Sequence, residues 1–236
     1  MSPFTGELAG TALMIILGNG VVSNVVLKNT KGHGGGWIVI SFGWAMAVFL
    51  GVYASTTLGG SGHLNPAVSI ALAVFGDFDK DLLASYLAAQ FIGAFAGALI
   101  VWVGYKQHFD ATDDPAMKFA CFSTTPAIRH PLYNCLTEII GSFVLVFGAM
   151  AISKPTASMG TLDALPVALL VLGIGLSLGG PTGYAINPAR DLGPRLAYLV
   201  LPMKGKVPAD WAYAWIPILA PVAGALLGAL VYQRFS

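Results

Sequence analysis

The sequence predicts an all-α membrane protein in which six transmembrane helices and two shorter re-entrant half-helices form an inverted 3+3 repeat. Three observations carry this prediction: the composition, the lengths of the apolar stretches, and a short polar motif that occurs twice. The chain of 236 residues is 56% hydrophobic and only 10% charged, with a mean hydropathy of +0.74, whereas a soluble domain carries about 25% charged residues. The composition therefore places the chain in lipid, and a formal net charge of +1 gives no reason to expect a nucleic-acid partner.

Six apolar stretches are long enough to cross about 30 Å of hydrocarbon, which takes roughly 20 helical residues. The first lacks a basic segment and a cleavage motif, so we interpret it as a retained helix and not as a signal peptide. Two further apolar stretches are only about half as long as a spanning helix needs to be. The predicted spans are 7–27, 37–58, 82–105, 133–153, 163–180 and 212–233, and the half-length stretches are 66–75 and 188–201.

Each half-length stretch begins at an Asn-Pro-Ala tripeptide. Asparagine caps the free N–H groups at a helix start, and proline tolerates the first helical position because its missing N–H costs nothing there. A helix of about ten residues reaches about 15 Å, so each stretch is predicted to be a half-helix whose N-terminus lies at the membrane midplane. The tripeptides are Asn65, Pro66 and Ala67 in the first copy and Asn187, Pro188 and Ala189 in the second.

The chain is predicted to be a single domain made of two repeats, 1–105 and 132–236, joined by a polar surface loop, 106–131. A Glu-x-x-Gly-Thr/Ser motif begins at Glu7 and again at Glu138, 131 residues later. The small residues of the third span recur in the sixth at the same offset. Because three helices per repeat is an odd number, the second copy enters the membrane inverted, and the two half-helices meet end to end at the centre.

Non-helical backbone at membrane depth must be buried or line a watery path, because unsatisfied polar groups there cost several kcal/mol each. The segments 61–64 and 183–186 are therefore predicted to present carbonyl groups along a path. Two helix N-termini and the asparagine N–H groups add positive partial charge at its centre, which suits neutral molecules with hydroxyl groups and repels cations, protons included. The predicted pore-lining carbonyls belong to Ser61, Gly62, His63, Gly183, Tyr184 and Ala185.

Three charged residues lie at helix depth. Arg190 is a functional candidate, since a charge there is expensive unless it meets water or a partner; the alternatives are pairing with Asp191 or snorkelling outward. Glu7 and Glu138 are predicted to accept hydrogen bonds from the re-entrant backbone and hold it from behind. His63 is predicted to pack and contribute its backbone. Neither a metal-ligand cluster nor a nucleophile–base set accompanies these residues, so we predict no metal, no cofactor and no enzyme activity.

The loop charges favour one orientation of the chain. With the N-terminus inside, the inner segments contain only Lys80, Lys154 and Arg234. The positive-inside rule would therefore favour the opposite orientation. The outer segments would contain Lys28, Lys31, Lys106, Lys118, Arg129, Lys204 and Lys206.

These residues resemble the major intrinsic protein family, the aquaporins and aquaglyceroporins, over nearly the whole chain. The resemblance rests on 63–68, on 183–191 and on the repeated Glu-x-x-Gly-Thr/Ser motif. It is greatest to bacterial glycerol uptake facilitators, whose second motif continues as Asn-Pro-Ala-Arg-Asp, with Asp191 at the last position. The resemblance implies an aquaporin-like right-handed bundle, a homotetramer with one pore per subunit, a plasma-membrane location and both termini in the cytoplasm.

The resemblance also implies a selectivity filter of four residues: Trp44, Gly175, Tyr184 and Arg190. Glycerol channels have a small residue where water channels have His, and Gly175 matches it. Aromatic faces would hold the carbon backbone of a polyol while Arg190 and pore carbonyls bind its hydroxyl groups. Tyr184 departs from the Phe that is usual there, and its extra hydroxyl group would narrow or polarise the filter.

The function that the resemblance implies is a passive channel for glycerol and other small neutral solutes, with some water conduction. Within the same class, the alternatives are a channel mainly for water, or one for lactic acid, dihydroxyacetone or urea. A coupled secondary transporter is the alternative from a different class, since broken helices and inverted repeats occur there too. The absence from the predicted pore of a carboxylate pair or ion site that could couple transport counts against it.

Overall fold

The computed structural model describes residues 1–152 and 160–236, and these residues form α-helices and 3₁₀ turns with no strand. The predicted all-α fold class is confirmed. Two 3₁₀ turns, Lys80–Leu82 and Gly160–Ala164, precede α4 and α8. The helices are α1 Pro3–Val26, α2 Gly36–Thr57, α3 Pro66–Phe75, α4 Leu83–Gly104, α5 Lys106–Ala111, α6 Pro115–Ala120, α7 Pro131–Ala151, α8 Leu165–Leu178, α9 Pro188–Val200 and α10 Trp211–Phe235.

Five of the helices in the described residues, α1, α2, α4, α7 and α10, are long and apolar enough to cross a membrane. The predicted span 163–180 is wrong as a single long helix, because α8 has 14 residues and reaches only about 21 Å. The 3₁₀ turn before it rises faster, about 2.0 Å per residue, so the two segments together still approach the thickness of the hydrocarbon. The predicted end of the fourth span at 153, and Lys154, lie outside the described residues.

Among the described helices, proline is the first residue of five, including both half-helices, α3 and α9. In each case the residue before the proline accepts a hydrogen bond from a backbone N–H group of the first turn through its side chain. Capping and proline therefore specify these starts through local interactions. The capping residues are Ser2, Asn65, Asp114, His130 and Asn187.

The half-helices are exchanged between the two halves of the chain. Within the first half α1 packs on α2 and α4, and within the second half α7 packs on α10 and α8. The half-helix α9, however, packs on α4 of the first half, and α3 packs on α10 of the second. The exchange brings the N-termini of α3 and α9 into contact at the centre of the molecule.

Two glycines allow equivalent close contacts in the two halves. A Cβ atom on Gly93 would lie 2.4 Å from the carbonyl oxygen of Leu8, and one on Gly224 would lie 2.2 Å from the carbonyl oxygen of Ile139. Both members of the second pair lie 131 residues after those of the first. The helix pairs α1–α4 and α7–α10 thus approach each other closely in the same way.

The connection 106–131, expected to be a surface loop, folds back into the molecule. It forms α5 and α6 and buries Phe109, Phe119, Cys121 and Phe122. Its aromatic residues supply the apolar area that a surface loop lacks, which explains the difference. Burial raises the pKa of the Cys121 thiol to about 12, so this thiol stays protonated and acts as a packing group.

Candidate functional site

A cavity of about 150 Å³ lies at the centre of the molecule, beside both Asn-Pro-Ala motifs. Its lining is amphipathic. The backbone of 62–65 and 184–187 and the side chain of Arg190 supply polar groups, while α1, α2, α7 and α8 supply apolar ones. The apolar lining includes Met14, Val48, Val52, Leu145, Val167 and Val171.

Asn65 caps its own half-helix and also reaches the other half of the chain. Its Oδ1 accepts a hydrogen bond from the Ala67 backbone N–H at 2.9 Å. Its Nδ2 donates to the carbonyl of Ile186 at 2.8 Å. A primary amide carries two N–H groups, so one N–H of Asn65 remains beside the cavity after this bond is made.

Asn187 makes the mirrored set of contacts. Its Oδ1 accepts from the backbone N–H groups of Ala189 at 3.0 Å and Arg190 at 3.2 Å. Its Nδ2 donates to the carbonyl of Leu64 at 2.8 Å. Each asparagine thus bonds the residue that precedes the other asparagine. The two crossed bonds hold the N-termini of α3 and α9 together and orient one free N–H group of each amide.

Glu7 lies fully buried behind the first re-entrant segment. Its Oε1 accepts from the His63 backbone N–H at 3.0 Å and from the Ser55 hydroxyl at 2.9 Å. Its Oε2 accepts from the Leu64 backbone N–H and from Gln90 Nε2, both at 2.8 Å. Both carboxylate oxygens are therefore occupied by donors of the protein, so this group is placed to hold backbone.

Glu138 occupies the equivalent place in the second half. Its two oxygens accept from the backbone N–H groups of Ala185 at 3.0 Å and Ile186 at 2.8 Å. Like Glu7, it is buried. Each re-entrant segment therefore has two consecutive N–H groups turned towards one carboxylate.

The carboxylates also determine where the carbonyl groups point. A trans peptide is planar, so its C=O and N–H groups point in opposite directions, and no cis peptide is present in the described residues. The four N–H groups held by the carboxylates therefore turn four carbonyls away from them, and the residues concerned all line the cavity: Gly62, His63, Tyr184 and Ala185. The other two residues predicted for this role, Ser61 and Gly183, are not among the residues that line it.

This backbone path is strained. Leu64, Tyr184 and Ile186 have positive φ angles of 53°, 37° and 41°, where residues other than glycine cost of order 1–3 kcal/mol each. Ile186 is β-branched, for which such a φ is a genuine outlier. The carboxylate and asparagine bonds hold these conformations in place, as expected where strain belongs to a functional site.

Arg190 lies beside the cavity with its guanidinium Cζ 4.3 Å from the centroid of the Trp44 ring. Its Nη1 donates to the carbonyl of Phe122 at 3.2 Å. It is 7% exposed and pairs with no carboxylate among residues 1–152 and 160–236. Its other N–H groups have no partner in that part of the chain, and a guanidinium has five donors. Donors at the cavity therefore remain available to a ligand.

Asp191 pairs with Arg195 instead. The carboxylate Oδ1 lies 2.8 Å from Arg195 Nε and 2.7 Å from Nη2, and both side chains are fully buried. Asp191 Oδ2 accepts from the backbone N–H and the hydroxyl group of Thr124, at 2.8 and 2.7 Å. The pair fastens α9 to the segment that carries Phe122, so Asp191 fixes the carbonyl to which Arg190 donates.

The four filter residues predicted by resemblance do not all line the cavity. Trp44, Tyr184 and Arg190 do so, but Gly175 is not among the lining residues. A Cβ atom on Gly175 would lie 3.0 Å from Cζ and Oη of Tyr184. The space that Gly175 leaves is thus occupied by the Tyr184 ring.

His63 packs against two aromatic rings. Its Nδ1 lies 3.0 Å from the Ser69 hydroxyl, and its ring lies 4.7 Å from that of Phe78 and 5.2 Å from that of Tyr86, centroid to centroid. Within the described part of the chain no group of three or more His, Cys, Asp or Glu residues could hold a metal ion.

Sequence reasoning missed two parts of this site. The Phe122 carbonyl is a backbone atom in an irregular segment, and no side-chain pattern marks it. Ser55 and Gln90, which complete the shell of Glu7, are polar residues inside apolar helices. Polar residues inside apolar helices can be recognised from the sequence, so both residues could have been assigned to this site.

The fold and the site define a multi-pass membrane protein in which two re-entrant half-helices meet beside a polar-lined central cavity. Residues 2–232 match the family model described as "Major intrinsic protein". The chain belongs to the major intrinsic protein family.

Among its relatives is a probable glycerol uptake facilitator protein of Thermotoga maritima, which is 52% identical over 99% of each chain. The glycerol uptake facilitator protein of Bacillus subtilis is 49% identical over 99% of this chain and 84% of its own. An X-ray structure of the aquaglyceroporin from Plasmodium falciparum superposes with a TM-score of 0.83 at 31% identity, covering 98% of this chain and 95% of that one.

Proposed function

We propose that this protein is a passive channel for glycerol and other small neutral solutes, with some water conduction, that excludes ions and protons. The observation that carries the proposal is the amphipathic lining of the central cavity. Four backbone carbonyls, one free N–H of each asparagine and the guanidinium of Arg190 meet apolar side chains there. The relatives named as glycerol uptake facilitators support this solute.

A polyol matches this lining group by group. Its hydroxyl groups replace lost water by donating to the carbonyls of Gly62, His63, Tyr184 and Ala185 and by accepting from the asparagines and Arg190. Its C–H groups lie against the apolar residues and the rings of Trp44 and Tyr184. A solute without a carbon chain cannot make the apolar contacts. A larger or charged solute cannot make this set of hydrogen bonds.

Cations are excluded by fixed positive charge. The N-termini of α3 and α9 each contribute roughly half an elementary charge, and Arg190 adds a full one at a site shielded from water. A cation at this point also meets the N–H groups of Asn65, Asn187 and Arg190, which are donors and cannot replace the oxygen ligands of its hydration shell. Among the described residues Asp191 does not offset this charge, because it is paired with Arg195.

Stopped-flow light scattering of proteoliposomes tests the proposal. After a glycerol upshift, vesicles with the protein should shrink and then reswell much faster than protein-free vesicles, at a rate proportional to the gradient and unaffected by a proton or sodium gradient. A trapped pH dye should report no added proton leak. Glycerol entry no faster than in empty vesicles would sink the proposal, and entry that follows an ion gradient would favour a coupled transporter.

We further infer that the chain is one domain of two inverted repeats, 1–105 and 132–236. We also infer that it assembles as a homotetramer in the lipid of the plasma membrane, with both termini in the cytoplasm. The equivalent Gly93 and Gly224 contacts support the repeats. Native mass spectrometry of the purified protein tests the tetramer, with a monomeric species as the contrary result. Reporter fusions to each terminus in cells test the orientation, which the loop charges alone oppose.

A further inference from the structure

The tryptophan at the start of α2, Trp37, packs against the Tyr184 ring. Tyr184 lines the central cavity, and Trp37 does not. Resting on the proposed function, we propose that Trp37 is a positioning residue that holds the Tyr184 ring beside the path and thereby sets the largest polyol that passes. Trp37 acts on the solute only through that ring.

The indole of Trp37 makes three close approaches to this corner of the molecule. Its Nε1 donates to the Gly175 carbonyl at 2.8 Å. Its ring meets the Tyr184 ring edge to face, with centroids 5.8 Å apart and planes at 76°. Its Cζ2 atom would lie 2.7 Å from a Cβ atom on Gly179. One side chain therefore contacts two of the four predicted filter residues, Gly175 and Tyr184.

The hydrogen bond from Trp37 fixes the indole to the end of α8. Gly175 is one of the last four residues of this helix, and the carbonyls of those positions have no N–H partner in the regular helical pattern. The indole of a tryptophan offers one N–H donor and no acceptor. The bond thus satisfies one free carbonyl of α8, and it orients the indole independently of Tyr184.

Packing holds the Tyr184 ring, because its hydroxyl group makes no hydrogen bond to a residue that the structure describes. A Cβ atom on Gly175 would lie 3.0 Å from Cζ and Oη of the tyrosine, and one on Gly179 would lie 2.5 Å from its Cδ1. The two glycines therefore form a recess for the ring. Trp37 meets the ring beside this recess, in one of the arrangements that aromatic pairs prefer.

The contact with Trp37 and the contact with the solute are on different sides of Tyr184, since only Tyr184 lines the cavity. The backbone that follows Tyr184 is fixed, because the N–H groups of Ala185 and Ile186 both donate to Glu138. The ring can still move by rotation of its side chain. A smaller residue in place of Trp37 leaves space on the side away from the solute, so the ring can withdraw and the path widens.

Proteoliposomes test the proposal through the ratio of erythritol to glycerol permeability, which does not depend on the amount of reconstituted protein. Erythritol is the larger polyol, so it needs more room beside the Tyr184 ring. Trp37→Leu should raise the ratio about threefold, as expected for the loss of an aromatic pair. Trp37→Phe keeps a ring behind Tyr184 without the N–H donor, and its ratio should lie between those of wild type and Trp37→Leu.

A double variant tests whether Trp37 acts through the tyrosine ring. In a Tyr184→Leu background there is no ring to hold, so adding Trp37→Leu should leave the erythritol-to-glycerol ratio unchanged. Trp215→Leu is the matched control. Trp215 is 45% exposed, against 40% for Trp37, and its indole makes no hydrogen bond or ring contact within the described ranges. This control should keep the wild-type ratio.

The outcomes separate this inference from the proposed function. An unchanged or lower ratio in Trp37→Leu, or an equal rise in the Tyr184→Leu background, overturns the role of Trp37. If Trp37→Leu fails to fold, Trp37→Met, which also lacks a ring, replaces it with the same expectations. A wild-type protein that does not pass glycerol overturns the proposed function instead.

Discussion

At the scale of single residues, the site depends on groups that never touch a solute. Glu7 is the clearest case, since four donors converge on its two oxygens. Replacing it with glutamine keeps the shape but turns one acceptor into a donor. The donors that faced that oxygen then lose their partner in a fully buried place, where each unsatisfied group costs about 1–3 kcal/mol.

We therefore expect Glu7→Gln to lower the free energy of unfolding by about 2–4 kcal/mol, measured by denaturant titration in detergent micelles. Glycerol permeability should fall with it, because the carbonyls of Gly62 and His63 lose their fixed direction. Asp110→Asn is the control. Its carboxylate pairs with Lys106 at the surface, and exposed ion pairs contribute little. A Glu7→Gln protein as stable as the control would contradict the assigned role.

Gly175 offers a second test at this scale, because a side chain there meets the Tyr184 ring before it meets a solute. Gly175→Ala should lower glycerol permeability about tenfold, since overpacking costs of order 1–3 kcal/mol and Tyr184, which the new side chain displaces, lines the cavity. Water permeability should fall less, and Gly175→His should act in the same direction more strongly. Gly173→Ala, on the same helix with nothing within 4 Å of the new Cβ atom, should change neither. Equal loss of water and glycerol in Gly175→His would mean that the filter is assigned to the wrong residues.

At the scale of elements, the lipid makes much of the fold predictable from sequence. A spanning helix needs a long apolar run and a half-helix a short one, so the starts of α3 and α9 follow from Asn65-Pro66 and Asn187-Pro188. The shortness of α8 does not follow, because the apolar stretch by itself does not show where the 3₁₀ turn Gly160–Ala164 ends and the α-helix begins. Nor does the inward course of 106–131 follow, because its aromatic residues are interspersed with charged and polar residues that are typical of a surface loop.

The site, like the fold, could be predicted from the sequence only in part. Glu7, Glu138 and Arg190 could be assigned as candidate site residues from the sequence. Each is a charged residue in apolar surroundings, where a charge costs free energy unless it has a partner or a function. The partner of Arg190 could not, because it is a carbonyl 68 residues away. The packing of the Tyr184 ring against Gly175 depends on how α2 and α8 meet, which no local pattern records.

The buried pair of Asp191 and Arg195 provides a test of how one element positions another. Arg195→Met leaves the carboxylate buried without its partner, so the free energy of unfolding should fall by about 3–5 kcal/mol. Glycerol permeability should also fall, since α9 loosens from the segment that carries Phe122. Adding Asp191→Asn to Arg195→Met should recover part of the stability, because it removes the uncompensated charge. Losses that simply add in the double variant, by thermal unfolding of the purified proteins, would contradict this view of the pair.

At the scale of the whole molecule, reciprocal hydrogen bonds join the two halves where the half-helices α3 and α9 meet. Asn65 donates to the residue before Asn187, and Asn187 donates to the residue before Asn65. Neither bond exists within one half of the chain. The contact between the N-termini of α3 and α9 therefore depends on both asparagines together. The positive partial charges of the two helix ends lie side by side only while this contact is maintained.

This reciprocity predicts a specific pattern of coupling. Asn65→Ala and Asn187→Ala should each cost about 2–4 kcal/mol of unfolding free energy, from one lost cap and one unsatisfied carbonyl. The double variant should cost less than the sum, because once either crossed bond is gone the helix ends separate and the other bond weakens. Proton leak, followed with a trapped dye, should rise in either single variant and little more in the double.

Asn134 supplies the matched control for this cycle. It is a buried asparagine with one accepted and one donated hydrogen bond, at 2.9 and 3.0 Å, and both partners, His130 and Ile128, are local. Asn65→Ala and Asn134→Ala should therefore add, whereas Asn65→Ala and Asn187→Ala should not. If both pairs add equally, the two halves are independent neighbours and the crossed bonds are ordinary caps. Coupling confined to Asn65 and Asn187 means that the charge barrier is a property of the assembled halves, which neither repeat can form alone.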